Sequence, residues 1–376
     1  MAMNAPRAEK RAGDISDAFA SLAGDGTEPP LDARFATLKK ELLHGREEAI
    51  VASWNRLLEH LREEIAIVRE KGSSLIPEIS YNDVKNGKVS QSFRSSYEKT
   101  GACVVRGVVS PSEALGYKSS IRDYVKQNPQ TKAFPPHDPQ VYELYWSPAQ
   151  VKARSHPNML GTQKFLMSFW HAHPQSKISL RHPVAYADRL RIRQPGDASF
   201  ALGPHIDGGS LERWEYDGYA KAQTYDRILE GRWEDFDPWD ASKRVGAVMA
   251  LYEGVGNCSA LRLGQGWLGM SEMRGGEGHL MVNPVLKGAT AYLLLRPFFE
   301  AKRSLEQVGE EEYLHKSNWK LEDVTSVSSM FPLPTKQKKD SADKTKTHSH
   351  ASKAPPQATA NPSIQHYTRT SPWPKV

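Results

Sequence analysis

The sequence predicts a mainly β fold with helical additions (α+β), in which a barrel or jelly roll of short strands follows a helical N-terminal region. Apolar residues recur at helical spacing over residues 31–71, among many Glu, Lys and Arg. From Asp188 onward the spacing changes to the alternation of a β-strand. Glycine-rich turns separate the strand-like runs that follow, which is typical of an all-β barrel or sandwich. These runs occupy 245–252, 260–263, 279–282 and 289–295.

The N-terminal region is predicted to be mostly helical. The first helix, 31–71, ends at Lys71-Gly72, since glycine is a common helix stop. Its apolar face either packs against the core of the same chain or docks onto a partner protein. Ser110-Pro111 begins a helix over 111–127, because serine caps helices well and proline suits the first turn. The other expected elements are helices at 93–99 and 159–169 and a β-branched strand at 101–109.

Composition divides the chain into three segments. Residues 1–30 and 324–376 are predicted to be disordered, and 31–323 to form the folded domain. The net charge of +6 comes from the tail, because residues 331–376 hold eight Lys or Arg and two Asp. The rest of the chain is therefore neutral overall. The sequence shows no cluster of basic residues on a folded face, which nucleic-acid binding would require.

The sequence shows no signal for a membrane or for secretion. No apolar run approaches the roughly 20 residues that a membrane-spanning helix needs, and the N-terminus lacks a basic segment followed by an apolar one. The two cysteines, Cys103 and Cys258, provide neither a disulfide framework nor a paired zinc motif. These features predict a cytoplasmic protein.

His205-Ile206-Asp207 is the strongest candidate for a metal site. Alternate side chains of a strand point to the same face, so His205 and Asp207 are expected on one side and Ile206 on the other. An imidazole and a carboxylate at this spacing supply two of the three ligands of the facial triad that holds Fe(II). The alternative is a solvated strand end, because isolated H-x-D motifs also arise by chance.

Five stretches together resemble the DUF1479 family of fungal and bacterial proteins, which is similar to 2-oxoglutarate/Fe(II)-dependent oxygenases. The resemblance covers roughly residues 35–323. It implies a double-stranded β-helix, a cupin-like jelly roll, with His205 and Asp207 in the first two metal-ligand positions. The stretches are GACVVRGVV at 101–109, LRIRQPG at 190–196, GPHIDGGSLERW at 203–214, GEGHLMVNP at 276–284 and AYLLLRPFF at 291–299.

The resemblance also implies an activity, the oxidation of a small organic molecule with Fe(II) and the co-substrate 2-oxoglutarate. The family pattern continues past Glu322 with strands that bring the second histidine ligand, and the low-complexity tail stands in their place here. The β-helix is therefore expected to be incomplete at its C-terminal end. One alternative is a catalytically degenerate relative that lacks the third ligand. Another is an interaction protein that docks through helix 31–71.

Arg296 is a candidate for binding the co-substrate. At the end of a predicted strand, its guanidinium could grip the carboxylate of 2-oxoglutarate through two parallel hydrogen bonds. His279, in another predicted strand, is the candidate for a substitute metal ligand. The alternative is an ordinary strand histidine and an arginine at the barrel end.

Three further features have less specific meanings. The aromatic insertion at 211–243 is either a lid that excludes water from the site or a cap packed on the barrel. The G-x-G-x-x-G pattern at 264–269 lacks the downstream acid of a dinucleotide site and predicts β-turns. His171 and His173 abut Pro174, which favours a capping or surface role over a metal pair.

Overall fold

The computed structural model describes residues 32–134, 139–185, 188, 190–192, 206, 211–252, 260–272 and 280–322, and the backbone of 363–367. Most of the predicted disordered segments, 1–30 and 324–376, lie outside these residues. No helix in the described ranges is both long enough and apolar enough to cross a lipid bilayer. The α-helices are α1 (Arg34–Leu43), α2 (Glu47–Lys71), α3 (Tyr81–Lys85), α4 (Gln91–Thr100), α5 (Pro111–Gln127), α6 (Pro148–Ser155), α7 (Pro157–Met167), α8 (Asp226–Leu229), α9 (Leu286–Leu295) and α10 (Leu305–Tyr313).

The strands are two to five residues long and form three open sheets. They are β1 (Glu78–Ser80), β2 (Ala102–Arg106), β3 (Ala133–Phe134), β4 (Val141–Tyr142), β5 (Leu190–Arg191), β6 (Gly266–Leu268), β7 (Phe299–Ala301), β8 (Trp319–Leu321) and β9 (Ser363–Tyr367). The largest sheet has the order β1-β2-β9-β6, in which β1 is parallel to β2 and β9 is antiparallel to both neighbours. The other two sheets, β3-β4-β5 and β7-β8, are antiparallel.

The predicted mainly β fold, a double-stranded β-helix of the jelly-roll kind, is wrong for the described part of the chain. Helices hold most of the regular structure there, and the small sheets do not close into a barrel. The physical reason is that a short apolar run does not distinguish a buried strand from a buried helix.

The run at 289–295 shows how the strand prediction failed. It lies in α9, where seven of the ten residues are buried. A helix that is apolar on nearly all sides has no polar face to reveal its period, and its Leu and Ala residues favour a helix. Of the other predicted strands, 245–252 and 260–263 form turns and irregular backbone, as do 280–282, and His279 lies outside the described residues.

The predicted N-terminal elements are confirmed. The helical stretch 31–71 is divided into α1 and α2 because Gly45 adopts a φ of 71°, which favours glycine. α5 spans the predicted 111–127, and Ser110 and Glu113 cap it reciprocally. α4, α7 and β2 lie close to their predicted positions.

The larger core lies between α2 and α9. Trp54 of α2 has no exposed surface and stacks on Phe299, with the ring centroids 4.5 Å apart. The apolar face of α2 is thus covered by the same chain, as the packing alternative for residues 31–71 expected. The α2 residues with no exposed surface are Ile50, Trp54, Leu57, Leu58 and Leu61.

A second core surrounds β2. Val105 and Cys103 of β2 pack with residues of α4 and α7 and with Trp239. Burial raises the pKa of the Cys103 thiol far above its ordinary value, so this thiol stays neutral.

Candidate functional site

The structure describes one residue of the predicted metal motif. His205 and Asp207 lie outside the described residues, and Ile206 between them is half-buried. The geometry of the two predicted ligands stays a prediction. The structure does define how the chain is anchored before the motif, at 188–192, and after it, at 211–214.

Before the motif, the chain is held at the edge of a small sheet. β5 pairs with β4, which places Leu190 opposite Tyr142. Leu190 is buried, Arg191 is exposed and Ile192 is half-buried, so the predicted strand alternation is confirmed for these three residues.

Asp188 adds a polar anchor just ahead of β5. Its Oδ1 accepts hydrogen bonds from Gln150 Nε2 and Arg154 Nη1 of α6, both at 2.8 Å. Burial raises the pKa of Asp188 above its ordinary value, although Arg154 and Gln150 favour the charged form. The strand that leads to the motif is therefore tied to α6.

After the motif, the chain enters the core directly. Leu211–Arg213 form a single 3₁₀ turn in which all three residues are buried, with Glu212 fully so. Trp214 follows at 1% exposure, and its Nε1 donates to the carbonyl of Leu294 in α9 at 3.0 Å. The chain is therefore fixed to α9 seven residues after Asp207.

The aromatic insertion at 211–243 packs into the protein. Its large rings are mostly buried in the cores, and Trp239 Nε1 donates to the carbonyl of Glu98 in α4 at 3.1 Å. This arrangement agrees with a packed cap, and whether the insertion also covers the motif at 205–207 stays a prediction. The buried rings are Trp214, Tyr219, Tyr225, Trp233, Phe236 and Trp239.

Gly218 lies where the insertion folds back onto the turn after the motif. Tyr219 N donates to the carbonyl of Glu212 at 3.0 Å, and a Cβ at Gly218 would lie 2.0 Å from that carbonyl oxygen. Only glycine fits this approach of two backbone segments.

Replacing Gly218 with alanine is expected to destabilise the fold by about 3 kcal/mol, because backbone must move to relieve the overlap. Gly116 in α5 provides the matched control, since a Cβ there meets nothing within 4 Å. Gly116→Ala is expected to stabilise by about 0.5–1 kcal/mol. Urea unfolding followed by circular dichroism measures both changes, and equal effects would contradict the close approach at Gly218.

A buried charge cluster surrounds Tyr219, and sequence reasoning missed it. Burial raises the pKa of the Tyr219 hydroxyl, and Tyr225 and Glu212 raise it further, whereas the positive charges of Arg213 and Arg244 lower it. Two guanidinium groups and one carboxylate therefore act on this hydroxyl. The only sequence signal for Glu212 and Arg213 is their position a few residues after the H-x-D motif.

Arg296 lies at the C-terminal end of α9 and not at the end of a strand. Its Nη1 donates to the carbonyl of Phe299 at 2.5 Å, and its guanidinium carbon lies 4.7 Å from the ring centroid of Trp319. It also forms a hydrogen bond with Tyr292. These contacts join α9 to β7 and β8, and binding of a co-substrate by Arg296 stays a prediction.

The other histidines singled out have local contacts. His171 Nε2 lies 2.7 Å from Asp237 Oδ2 with both side chains at least half exposed, and His173 N donates to Ser242 Oγ at 2.6 Å. Across the residues that the structure describes, no three His, Cys, Asp or Glu side chains are grouped to hold a metal ion. The segment 266–268 of the G-x-G-x-x-G pattern is strand β6, and no helix follows it directly.

Comparison with known proteins places this chain among a set of related ones. The Gig2-like family model matches residues 29–375. YbiU of Escherichia coli (strain K12), an uncharacterized protein, is 33% identical over 262 residues, which are 66% of this chain and 60% of YbiU. The crystal structure of GlcNAc Inducible Gene 2, GIG2 (DUF1479), from Candida albicans is similar with a TM-score of 0.68 and 30% identity, over 79% of this chain and 62% of that one.

A further solved structure carries a functional hint. It is a protein of Salmonella typhimurium LT2 that bears the provisional name of an oxidoreductase, similar with a TM-score of 0.64 and 25% identity. The match covers 91% of this chain and 82% of that one. This chain spans less than two thirds of the length of YbiU and of GIG2. Because the family model covers nearly the whole sequence, the chain belongs to the Gig2-like family.

Proposed function

We propose that this chain is an oxidoreductase of the non-haem Fe(II)/2-oxoglutarate-dependent type that acts on a small organic molecule. The observation that carries the proposal is the H-x-D motif at 205–207, whose flanks are anchored in the fold on both sides. The similarity to a protein that bears the provisional name of an oxidoreductase supports the reaction class.

The two proposed ligands fit ferrous iron by their chemistry. An imidazole nitrogen and a carboxylate oxygen are two of the three donors of the 2-His-1-carboxylate triad, which leaves positions open. His205 and Asp207 would hold the metal. When bound, ferrous iron and 2-oxoglutarate together supply the activation of dioxygen that oxidation of an organic substrate requires.

The protein's own contribution is to hold the two donors in place. Before the motif, Asp188 accepts a hydrogen bond from Gln150 of α6. After the motif, Trp214 donates a hydrogen bond to Leu294 of α9. Anchors of this kind reduce the freedom of a ligand-bearing segment and so the entropic cost of ordering it around a metal. The buried rings of the insertion exclude water from the region that follows the motif.

Replacing His205 with alanine is expected to weaken binding of Fe(II) by at least about 100-fold, because even loss of a group that only orients a ligand typically costs about 10–100-fold. Anaerobic equilibrium dialysis of Fe(II) against wild-type protein and the variant measures this. His182→Ala is the matched control, since His182 is exposed and lies outside the motif. An unchanged affinity in His205→Ala would remove His205 from the site.

Release of succinate from 2-oxoglutarate by the iron-loaded protein tests the reaction class. Iron-dependent release that is lost in His205→Ala and Asp207→Ala supports the oxygenase. Tight iron binding without release would instead support the degenerate relative, which keeps the metal site but not turnover.

A further inference from the structure

β9 occupies a position between two strands of the largest sheet. It is antiparallel to β2 over five register pairs and to β6 over three. A strand in this position pairs with both neighbours through its backbone and covers the edge that each of them would otherwise present. We call this position between β2 and β6 the strand slot.

Both walls of the strand slot are held by contacts that do not involve β9. β2 is parallel to β1, and Cys103 and Val105 of β2 pack in the second core with α4 and α7. Leu268 of β6 packs against the same core. Just after β6, Ser271 Oγ accepts a hydrogen bond from Lys118 Nζ of α5 at 2.7 Å. The two walls are therefore expected to stay in place when β9 leaves the slot.

The residue types of β9 match β2 poorly. Cys103 and Val104 of β2 are 1% and 7% exposed, and their register partners in β9 are His366 and Gln365. Strands beside a buried strand are normally rich in β-branched and other apolar residues, because burial of polar groups costs free energy. A segment with valine at these two positions would suit the strand slot better than the chain's own segment does.

The connection to β9 is also long. Residues 323–362 separate it from the rest of the described chain. Closing a loop of this length costs more chain entropy than closing a hairpin, and this cost weakens the hold of the slot on β9. Because the pairing runs through the backbone, another extended segment can form it as well.

We propose that the strand slot binds an extended peptide of β-branched apolar residues, and that residues 363–367 occupy it as a replaceable strand. Backbone hydrogen bonds to β2 and β6 supply the affinity, as they do when a peptide adds a strand to a sheet. The buried apolar residues of β2 supply the preference for apolar partners. This inference goes beyond the oxygenase activity and does not depend on iron.

Peptide binding by the full chain without added metal tests the proposal. The probe is a fluorescein-labelled peptide, SIVVYTR, which repeats residues 363–369 with valine in place of Gln365 and His366. In wild type the tethered β9 competes with the peptide at a high effective concentration. Gln365→Pro removes this competitor, because a central strand does not accommodate proline. Fluorescence anisotropy is expected to give a Kd for Gln365→Pro at least about tenfold below that for wild type.

Matched controls assign the binding to the strand slot. Gln357→Pro, the same substitution outside β9, is expected to bind SIVVYTR as wild type does. The peptide SIVPYTR is expected to lose binding to Gln365→Pro, and the native segment SIQHYTR to bind at least about tenfold more weakly than SIVVYTR. The proposal is overturned by absence of SIVVYTR binding to Gln365→Pro, by equal Kd values for Gln365→Pro and wild type, or by equal Kd values for any two of the peptides.

Hydrogen exchange of the full chain decides the question if Gln365→Pro does not fold by circular dichroism. In wild type, the amides of 364–367 are expected to exchange at least about tenfold faster than those of 103–105, because a replaceable strand leaves without unfolding of the core. The variant Gln365→Val/His366→Val is expected to slow exchange at 364–367 at least about tenfold. Equal protection of the two strands in wild type would show that β9 is permanent, and unchanged exchange in the valine variant would remove the apolar preference.

Discussion

Replacing Lys39 with methionine is expected to lower the free energy of unfolding by about 3–5 kcal/mol. Lys39 of α1 has no exposed surface, and its ammonium forms an ion pair with the Glu322 carboxylate just after β8, which is 9% exposed. Removal of the ammonium takes the charge of Lys39 away from the buried Glu322 carboxylate, which costs more than the pair itself contributes. Urea unfolding followed by circular dichroism measures the change.

A second pair of variants separates this effect from surface electrostatics. Lys316 and Glu59 form an ion pair at 3.1 Å in which both side chains are more than half exposed. Lys316→Met is expected to cost at most about 1 kcal/mol, since exposed pairs are weak. The double variant Lys39→Met/Glu322→Leu is expected to recover most of the stability lost in Lys39→Met. If Lys39→Met lowered the free energy of unfolding no more than Lys316→Met does, the pair of Lys39 and Glu322 would not be buried.

Truncation of Trp54 to alanine is expected to destabilise the protein by about 3–5 kcal/mol, because it opens a cavity at the centre of the larger core. The ring centroid of Trp54 lies 4.5 Å from that of Phe299 and 5.3 Å from that of Tyr292, both in stacked geometry. Trp319 forms a T-shaped pair with Trp54, with the centroids 5.2 Å apart. The variant therefore loses apolar burial together with three aromatic contacts.

Trp146 provides the control for the same chemical change on the surface. Its side chain is 71% exposed, and its contact is with the Arg154 guanidinium at 4.7 Å from the ring centroid. Trp146→Ala is expected to cost at most about 1 kcal/mol. Thermal unfolding by circular dichroism compares the two variants, and similar midpoints would show that Trp54 is not central to the core.

Local signals predicted the N-terminal helices well. Ser110, Pro111 and Glu113 are a capping box with proline in the first turn, and they mark the start of α5 to the residue. Lys71-Gly72 marked the end of α2 in the same way. Each of these signals acts within one turn of helix, so neighbouring residues alone determine it.

The architecture could not be predicted in the same way. The apolar run of α9 is buried on nearly all sides because α2 and the aromatic insertion cover it, and both are distant in sequence. A pattern that lacks a polar face is compatible with a strand or a helix, and tertiary packing decides between them. The jelly-roll prediction rested on several such runs.

In the candidate site, too, local features could be predicted from the sequence and long-range contacts could not. The H-x-D motif could be recognised because its two proposed ligands are only two positions apart in the sequence. Leu190, Arg191 and Ile192 follow the alternation expected before it. The arrangement of Arg213 and Arg244 around Tyr219 depends on contacts between segments that are apart in the chain. No local pattern encodes such contacts.

The pairing of Lys39 with Glu322 also constrains how the protein is made. The two residues are 283 positions apart. At a synthesis rate of about 5–20 residues per second, roughly 15 to 60 s separate their emergence from the ribosome. Throughout this interval the buried Lys39 ammonium of α1 lacks the Glu322 carboxylate with which it pairs in the folded protein. The N-terminal helices are therefore expected to remain accessible to chaperones until the strand that ends at Leu321 has been translated.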